Sequence, residues 1–286
     1  MRHATWLKIE ASPFWYGVYR GYRTLPGGAR APLRWLTMPR WHLAVLLVRT
    51  ASRNRVVAGP FRGMKLALSG LSGRHLLGYI LGSQERELHE VIDRVVARRY
   101  GAMFNVGAAD GYYAVGLARR CPSTRVAAFE ALTELHPVIA RSAAANGVGG
   151  RIAIAGTCDA AQLRDALDAA PSETLVLMDI EGGEVGLLDP KLVPQLRQVD
   201  ILVETHDAFV AGATETLIDR FWQTHEVECY SAQPRILDDF PAGFLPFLKR
   251  RFPRLAVDLM SERRTGCQRW LFLTAKRNDA AGTAAG

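Results

Sequence analysis

Residues 102–120 read Ala-Met-Phe-Asn-Val-Gly-Ala-Ala-Asp-Gly-Tyr-Tyr-Ala-Val-Gly-Leu-Ala-Arg-Arg. A short apolar run passes through a turn bounded by two glycines into a longer amphipathic stretch. Ala102–Val106 predicts a strand and Tyr112–Arg120 a helix. The same alternation continues downstream. Strands are predicted at Arg125–Phe129, Arg151–Ala155, Thr174–Met178 and Asp200–Val203, with helices at Glu134–Asn146, Ala160–Ala169, from about Glu184, and Thr214–Thr224. Two later strands are predicted at Glu226–Ser231 and Trp270–Thr274. Continuously apolar strands alternating with helices predict a parallel sheet covered on both faces. Right-handed crossovers make it a doubly wound α/β sheet, which binds ligands at the carboxyl ends of its strands.

Those ends are rich in acids. The first strand is followed by Asn105-Val-Gly-Ala-Ala-Asp-Gly111, where Gly107 and Gly111 permit a tight turn and close approach of a ligand. The second ends in Glu130, placed about 20 residues beyond the glycine loop, where an acid can accept both ribose hydroxyls of a nucleoside. The third leads to Thr157-Cys158-Asp159; Asp159 reads either as an adenine contact or as a helix N-cap. The fourth ends in Asp179-Ile-Glu-Gly-Gly-Glu184, and the fifth in Glu204-Thr-His206-Asp207. Glu184 reads as a first-turn acid favoured by the helix dipole. The loop lacks the Gly-x-Gly-x-x-Gly of dinucleotide folds and the Gly-Lys-Ser/Thr of a P-loop, and Asp110 would repel a pyrophosphate. An acidic loop suits a cationic ligand such as S-adenosylmethionine.

Phe104-Asn-Val-Gly-Ala-Ala-Asp-Gly-Tyr-Tyr113, then Glu130, then Asp179-Ile-Glu-Gly-Gly-Glu184 resembles the FkbM family of class I S-adenosylmethionine-dependent methyltransferases. Leu81-Gly-Ser-Gln-Glu-Arg-Glu-Leu88 resembles the segment leading into that domain, and the likeness spans residues 80–230. The resemblance implies a Rossmann-like, mostly parallel seven-stranded sheet with helices on both faces. It also implies O-methylation of a hydroxyl on a sugar, glycolipid or natural product. Carried onto this chain, Asn105, Gly107, Ala108, Asp110 and Gly111 form the cofactor loop around the methionine end, Glu130 holds the ribose, Asp159 lies toward the adenine, and Asp179 sits near the transferring methyl.

A hydroxyl acceptor must lose its proton to a base, or have its pKa lowered by a metal. Among the strand ends, His206 is the natural base, with Asp179 and Glu204 beside it. Asp179, Glu204 and His206 could instead hold Mg²⁺, since hard oxygen donors suit that ion. A structural His206 is the third alternative. The remaining histidines, among them His75 and His136, read as surface or core residues.

Upstream, a helix is predicted over Glu85–Arg98, with Leu88, Val91, Ile92 and Val95 on one face, Ser83 as its N-cap, and Glu85 and Glu87 in its first turn. The chain organises as a mostly helical extension over 1–80, a catalytic domain over 81–278 with an insert at 232–266 that suits an acceptor lid, and a disordered tail over 279–286. The extension is basic and aromatic.

The net charge of +8 over 286 residues suggests nucleic acid until it is divided. Residues 1–64 hold 11 Lys and Arg against one acid, whereas 151–250 hold 8 against 17. The segment carrying most of the strand-end acids would therefore repel a phosphate backbone, and no Asn/Asp-Pro-Pro-aromatic motif follows the fourth strand. Residues 1–60 suit a helical cap, a peripheral contact with anionic membrane, or an oligomer interface or acceptor lid. Four scattered cysteines form no Cys-x-x-Cys pair, which suits a reducing cytoplasm. No apolar run is long enough to cross a membrane. A nicotinamide oxidoreductase and a non-catalytic nucleoside-binding module are the rival classes; oligomeric state is left open.

Overall fold

The strand segments pair as their apolar character predicts. The computed structural model describes residues 39–67, 75–262 and 268–277. Residues 1–38, most of the basic leader, and the expected tail over 279–286 lie outside the described residues. The chain divides into two compact units, residues 1–48 and 49–286, so residues 49–80 fall in the second unit.

In the first unit, the described residues begin helix α1 (Pro39–Ser52). Ala44 and Val48 on one side of α1 are buried, while Leu43, Leu46 and Leu47 are exposed. The second unit contains, in order, α2 (Leu76–Leu81), α3 (His89–Arg98), β1 (Ala102–Val106), α4 (Tyr112–Arg120), β2 (Arg125–Phe129), α5 (His136–Ala145), β3 (Ile152–Ala155), α6 (Ala160–Asp168) and β4 (Thr174–Met178). It continues with α7 (Glu184–Leu187), β5 (Asp200–Thr205), α8 (Ala213–Phe221), β6 (His225–Ser231), α9 (Pro246–Arg251), α10 (Pro253–Met260) and β7 (Arg269–Ala275).

The seven strands form one sheet in the order β3-β2-β1-β4-β5-β7-β6, with β7 antiparallel to both its neighbours. This is the doubly wound α/β architecture expected from the strand and helix alternation, in the Rossmann-like, mostly parallel seven-stranded form that the resemblance implies. Side chains alternate across it, as a pleated strand requires. Met103, Leu175, Leu177, Leu202, Trp270 and Phe272 pack into one core. Phe104, Val106, Val176, Met178, Ile201, Val203 and Leu273 pack into the core on the opposite face.

Register places the functional ends side by side. Val106 is aligned with both Phe129 and Met178, and Met178 with Val203. The next residue in each strand is therefore Gly107, Glu130, Asp179 or Glu204, all at one edge of the sheet. At the other edge, Asp200 is fully buried and satisfied by Tyr100 Oη (2.5 Å), Arg98 Nε (3.1 Å) and the Ala275 N–H (2.9 Å). That acid ties strands together and faces away from the ligand side.

Three local expectations just before α3 are corrected. The helix predicted over Glu85–Arg98 starts only at His89, after a 3₁₀ turn over Arg86–Leu88. Ser83 does not cap it: its hydroxyl is buried without a hydrogen-bond partner among the described residues, and Leu88 occupies the cap position. Glu85 is not a first-turn acid either. Its backbone is left-handed (φ 45°, ψ 52°), and its carboxylate accepts hydrogen bonds from Tyr113 Oη and from Gln84 Nε2 (3.0 Å). The tertiary contact to Tyr113 competes with helix formation at that point. The helix expected from Glu184 is a single turn of four residues.

Candidate active site

The carboxyl ends of β1, β2, β4 and β5 open into a cavity of about 780 Å³, a size usual for a small-molecule site. Its floor is the glycine loop. Gly107 has φ +82°, and a Cβ there would lie 1.8 Å from the Asp179 carbonyl oxygen, so only glycine lets β1 and β4 approach this closely. Ala108 and Asp110 also line the cavity.

Glu130 is held against this loop. Its Oε2 accepts from the Ala109 N–H (2.7 Å) and its Oε1 from the Leu132 N–H (2.9 Å). Both oxygens keep a lone pair for a diol, and their positions are set before any ligand arrives. His136 backs the same residue by pairing with the Glu130 carbonyl (2.8 Å).

Two expected cofactor residues are placed away from the cavity wall. Asn105 is buried within β1, and Gly111 serves as the left-handed N-cap of α4. Asp159 also does not line the cavity. Its Oδ1 accepts from the Gln162 N–H (2.8 Å) while Gln162 Oε1 accepts from the Asp159 N–H (3.0 Å), a reciprocal capping box on α6. Thr157 and Cys158, its predecessors, face the cavity. Burial pushes the Cys158 thiol up to about 11, with the Asp159 carboxylate adding to it, so this cysteine stays a neutral thiol.

The opposite wall is a histidine set among carboxylates. His206 is almost fully buried, with its side chain 2% exposed. Its Nδ1 donates to Glu184 Oε1 (2.8 Å). Its Nε2 lies 3.6 Å from Asp179 Oδ1, 3.7 Å from Glu181 Oε2 and 3.9 Å from Glu204 Oε2. Burial opposes protonation of His206, but the Glu184 hydrogen bond and the surrounding negative charge outweigh it and raise its pKa above 6.5. Burial likewise opposes ionisation of Glu184, yet the His206 bond and backbone donors hold its pKa below 4.5.

Glu184 is the residue that sequence reasoning under-read. It is the first-turn acid expected there, but it is fully buried and does more than face the helix dipole. Besides His206, it accepts from the Ile180 N–H (3.0 Å) and the Gly182 N–H (2.9 Å), so it closes the Asp179–Glu184 turn on itself. Glu181 in that turn has φ 56° and Gly182 φ 108°. Asp179 titrates above its ordinary value because it is buried and near Glu181 and Glu184, a shift opposed by His206 and by a side-chain hydrogen bond with Glu204.

Asp179, Glu184 and His206 each offer a ligand atom within 4.8 Å of the others. Glu184, however, already accepts three hydrogen bonds, and the carboxylate oxygens nearest His206 Nε2 are Asp179 Oδ1, Glu181 Oε2 and Glu204 Oε2. Asp179 Oδ1 is buried and lacks a hydrogen-bond partner among the described residues, which fits a cation ligand as well as a proton acceptor.

The roof of the cavity was not anticipated. His75 lines it and stacks on Tyr79, which stacks on Tyr112 at 4.3 Å between ring centroids and 12° between planes. His75 is thus neither an isolated surface nor a core residue. Gln84, Glu85, Phe209, Glu262 and Gln268 complete the wall. The only earlier signal was the Leu81–Leu88 segment, which marked the approach to the domain without assigning a role.

Neither the protein-family models nor the curated proteins give a match to this chain. Among solved structures, it is similar to the O-methyltransferase TomG from Streptomyces achromogenes in complex with SAM: 16% identity over 74% of this chain and 83% of that one, TM-score 0.43. It is similar to an O-methyltransferase from Bacillus cereus in complex with SAH, at 11% identity over 82% and 91%, TM-score 0.41. It is also similar to cofactor-bound Rv0187 from MTB, at 14% identity over 88% and 99%, TM-score 0.43. The fold assignment rests on strand order and pairing in this chain, not on these weak likenesses.

Proposed function

We propose that this chain is an S-adenosylmethionine-dependent methyltransferase of the FkbM kind that methylates a hydroxyl on a sugar, glycolipid or natural product. One observation carries the proposal. A single cavity joins a carboxylate pre-set on a glycine loop, Glu130, to a histidine whose far nitrogen is anchored by a buried carboxylate, His206 on Glu184. The first suits a ribose; the second suits removal of a proton.

S-adenosylmethionine, held by Glu130 and the glycine loop, would supply its sulfonium methyl to the acceptor oxygen, the S–CH₃ bond breaking as the C–O bond forms and S-adenosylhomocysteine remaining; orienting the two molecules together would supply much of the rate. His206 takes the hydroxyl proton at Nε2, because Nδ1–H is committed to Glu184 and fixes the tautomer. Glu204 and Asp179 stand beside that nitrogen and stabilise the imidazolium that results.

A divalent cation such as Mg²⁺ is the second reading, favoured by Asp179 Oδ1, which is buried without a hydrogen-bond partner among the described residues. Asp179, Glu204 and His206 would hold it, with Glu181 adjoining, and it would lower the pKa of the acceptor hydroxyl. Under either reading Glu184 acts on His206 from behind.

Calorimetric titration of the full chain with S-adenosylmethionine, S-adenosylhomocysteine and NAD tests the assignment. Binding of the first two and not the third is expected. Binding of NAD alone would make the chain an oxidoreductase, and binding of none would remove the nucleoside site. A methyl-release assay across sugar, glycolipid and polyketide hydroxyls, with and without chelator, then identifies the acceptor class and the metal requirement.

A further inference from the structure

Residues 246–254 read Pro-Phe-Leu-Lys-Arg-Arg-Phe-Pro-Arg and form α9 and the start of α10. Leu248 is buried and seats the segment on the protein. Around it the chain leaves large apolar groups in solvent: Phe247 is 42% exposed and Phe252 39%. Ile236, 58% exposed, precedes the 3₁₀ turn Leu237–Asp239, which Lys249 Nζ ties to α9 by pairing with Asp238 Oδ1 at 3.3 Å. Arg250, Arg251 and Arg254 are exposed as well. Four bases thus fall within six residues around exposed Phe252, and among the described residues the only acid paired with them is Asp238.

We propose that this face docks on the surface of an anionic lipid bilayer. Two signals are needed for stable peripheral binding, apolar insertion and basic attraction to anionic headgroups, and both are present within one short segment. Phe247, Phe252 and Ile236 supply the insertion, and Lys249, Arg250, Arg251 and Arg254 the charge. The patch lies in the 232–266 insert and is separate in sequence from the basic leader.

The same insert reaches the cavity. Buried Arg235 pairs with Glu87 (2.7 Å) and Glu262 (2.8 Å), and Glu262 lines the cavity wall. Lipid contact and cavity wall therefore belong to one continuous, internally braced segment. The docking proposal does not depend on the methyl-transfer assignment.

Vesicle co-sedimentation of the full chain tests it, with phosphatidylcholine alone and with an equimolar phosphatidylglycerol mixture. Wild type should partition onto the anionic vesicles, less strongly as salt rises. Both F247S/F252S and K249Q/R250Q/R251Q/R254Q should bind about tenfold more weakly or worse, given the apolar and electrostatic contributions involved. Melting curves confirm that the variants fold, and F247S alone replaces the double variant if that one does not. Three results would overturn the proposal: no sedimentation of wild type, equal binding to neutral vesicles, or undiminished binding of F247S/F252S. A dimer in analytical ultracentrifugation that F247S/F252S disperses would overturn it too, by assigning the face to a second copy.

Discussion

Replacing Glu184 by Gln removes one charge from a fully buried position and leaves the side chain's shape almost unchanged. Three hydrogen bonds converge on that carboxylate, from the Ile180 N–H, the Gly182 N–H and His206 Nδ1. An amide has one accepting oxygen, so its NH₂ must face at least one of those donors. The charge-assisted bond to His206 is worth roughly 1.5–3 kcal/mol, and a stranded buried donor costs about 1–3 kcal/mol more. Breaking one side of a buried pair is typically worth about 3–5 kcal/mol in total. For a chain of this size that is a melting temperature lower by roughly 6–20 °C, at about 2–4 °C per kcal/mol.

The pH dependence should change with it. Despite burial, Glu184 titrates below 4.5 and His206 above 6.5. Glu184 stabilises the fold above 4.5 and ceases to do so as pH falls through its lowered value. His206 stabilises it fully below 6.5 and ceases to do so as pH rises through its raised value. The pair therefore contributes most between 4.5 and 6.5. Glu184→Gln should flatten that maximum and shift the His206 imidazole titration, followed by NMR, to lower pH. A melting temperature within a degree or two of wild type, together with an unmoved His206 titration, would refute the pairing.

His206→Gln should lower kcat strongly while S-adenosylmethionine binds nearly as before; unchanged turnover in the methyl-release assay removes His206 from the chemistry. In wild type, kcat should rise with pH through a value above 6.5, because the base must be neutral to accept a proton; a flat profile across that range contradicts it. Glu130→Gln should weaken S-adenosylmethionine at least tenfold by calorimetry, about 1.4 kcal/mol, and an equal Kd rules out the ribose contact. Asp159→Ala should cost about 1 kcal/mol in urea unfolding as a lost cap, with cofactor affinity unchanged; a large loss of affinity would restore its adenine role.

Much of the sheet is legible in the sequence because burial on both faces writes itself as an unbroken apolar run. Thr174–Met178 and Ala102–Val106 need no tertiary information to be recognised. The direction and place of β7 are another matter. Nothing local in Arg269–Ala275 says that it runs antiparallel between β5 and β6, since that is settled by which edges are vacant. At the site, the strand-end acids are visible in order, and register then aligns Glu130, Asp179 and Glu204. Glu184 is misjudged because a glutamate opening a helix looks the same whether its carboxylate meets water or turns back onto Ile180 and Gly182. Glu85 and His75 fall outside the pattern because their roles depend on Tyr113 and Tyr79, contacts made across the fold with no periodic trace.

The position of β7 has a consequence for how the protein comes into being. Residues 269–275 fill the position between β5 and β6. During synthesis the ribosome delivers Thr205, at the end of β5, some 70 residues before Ala275. At about 5–20 residues per second, the unpaired edge of β5 waits on the order of 4–14 s. In that interval it presents Asp-Ile-Leu-Val-Glu-Thr, a strand otherwise buried throughout, to whatever can pair with it. A nascent chain stalled before residue 269 should therefore engage chaperones that bind exposed strand edges. The full chain, once released from the ribosome so that residues 269–275 are free to pair, should no longer engage them.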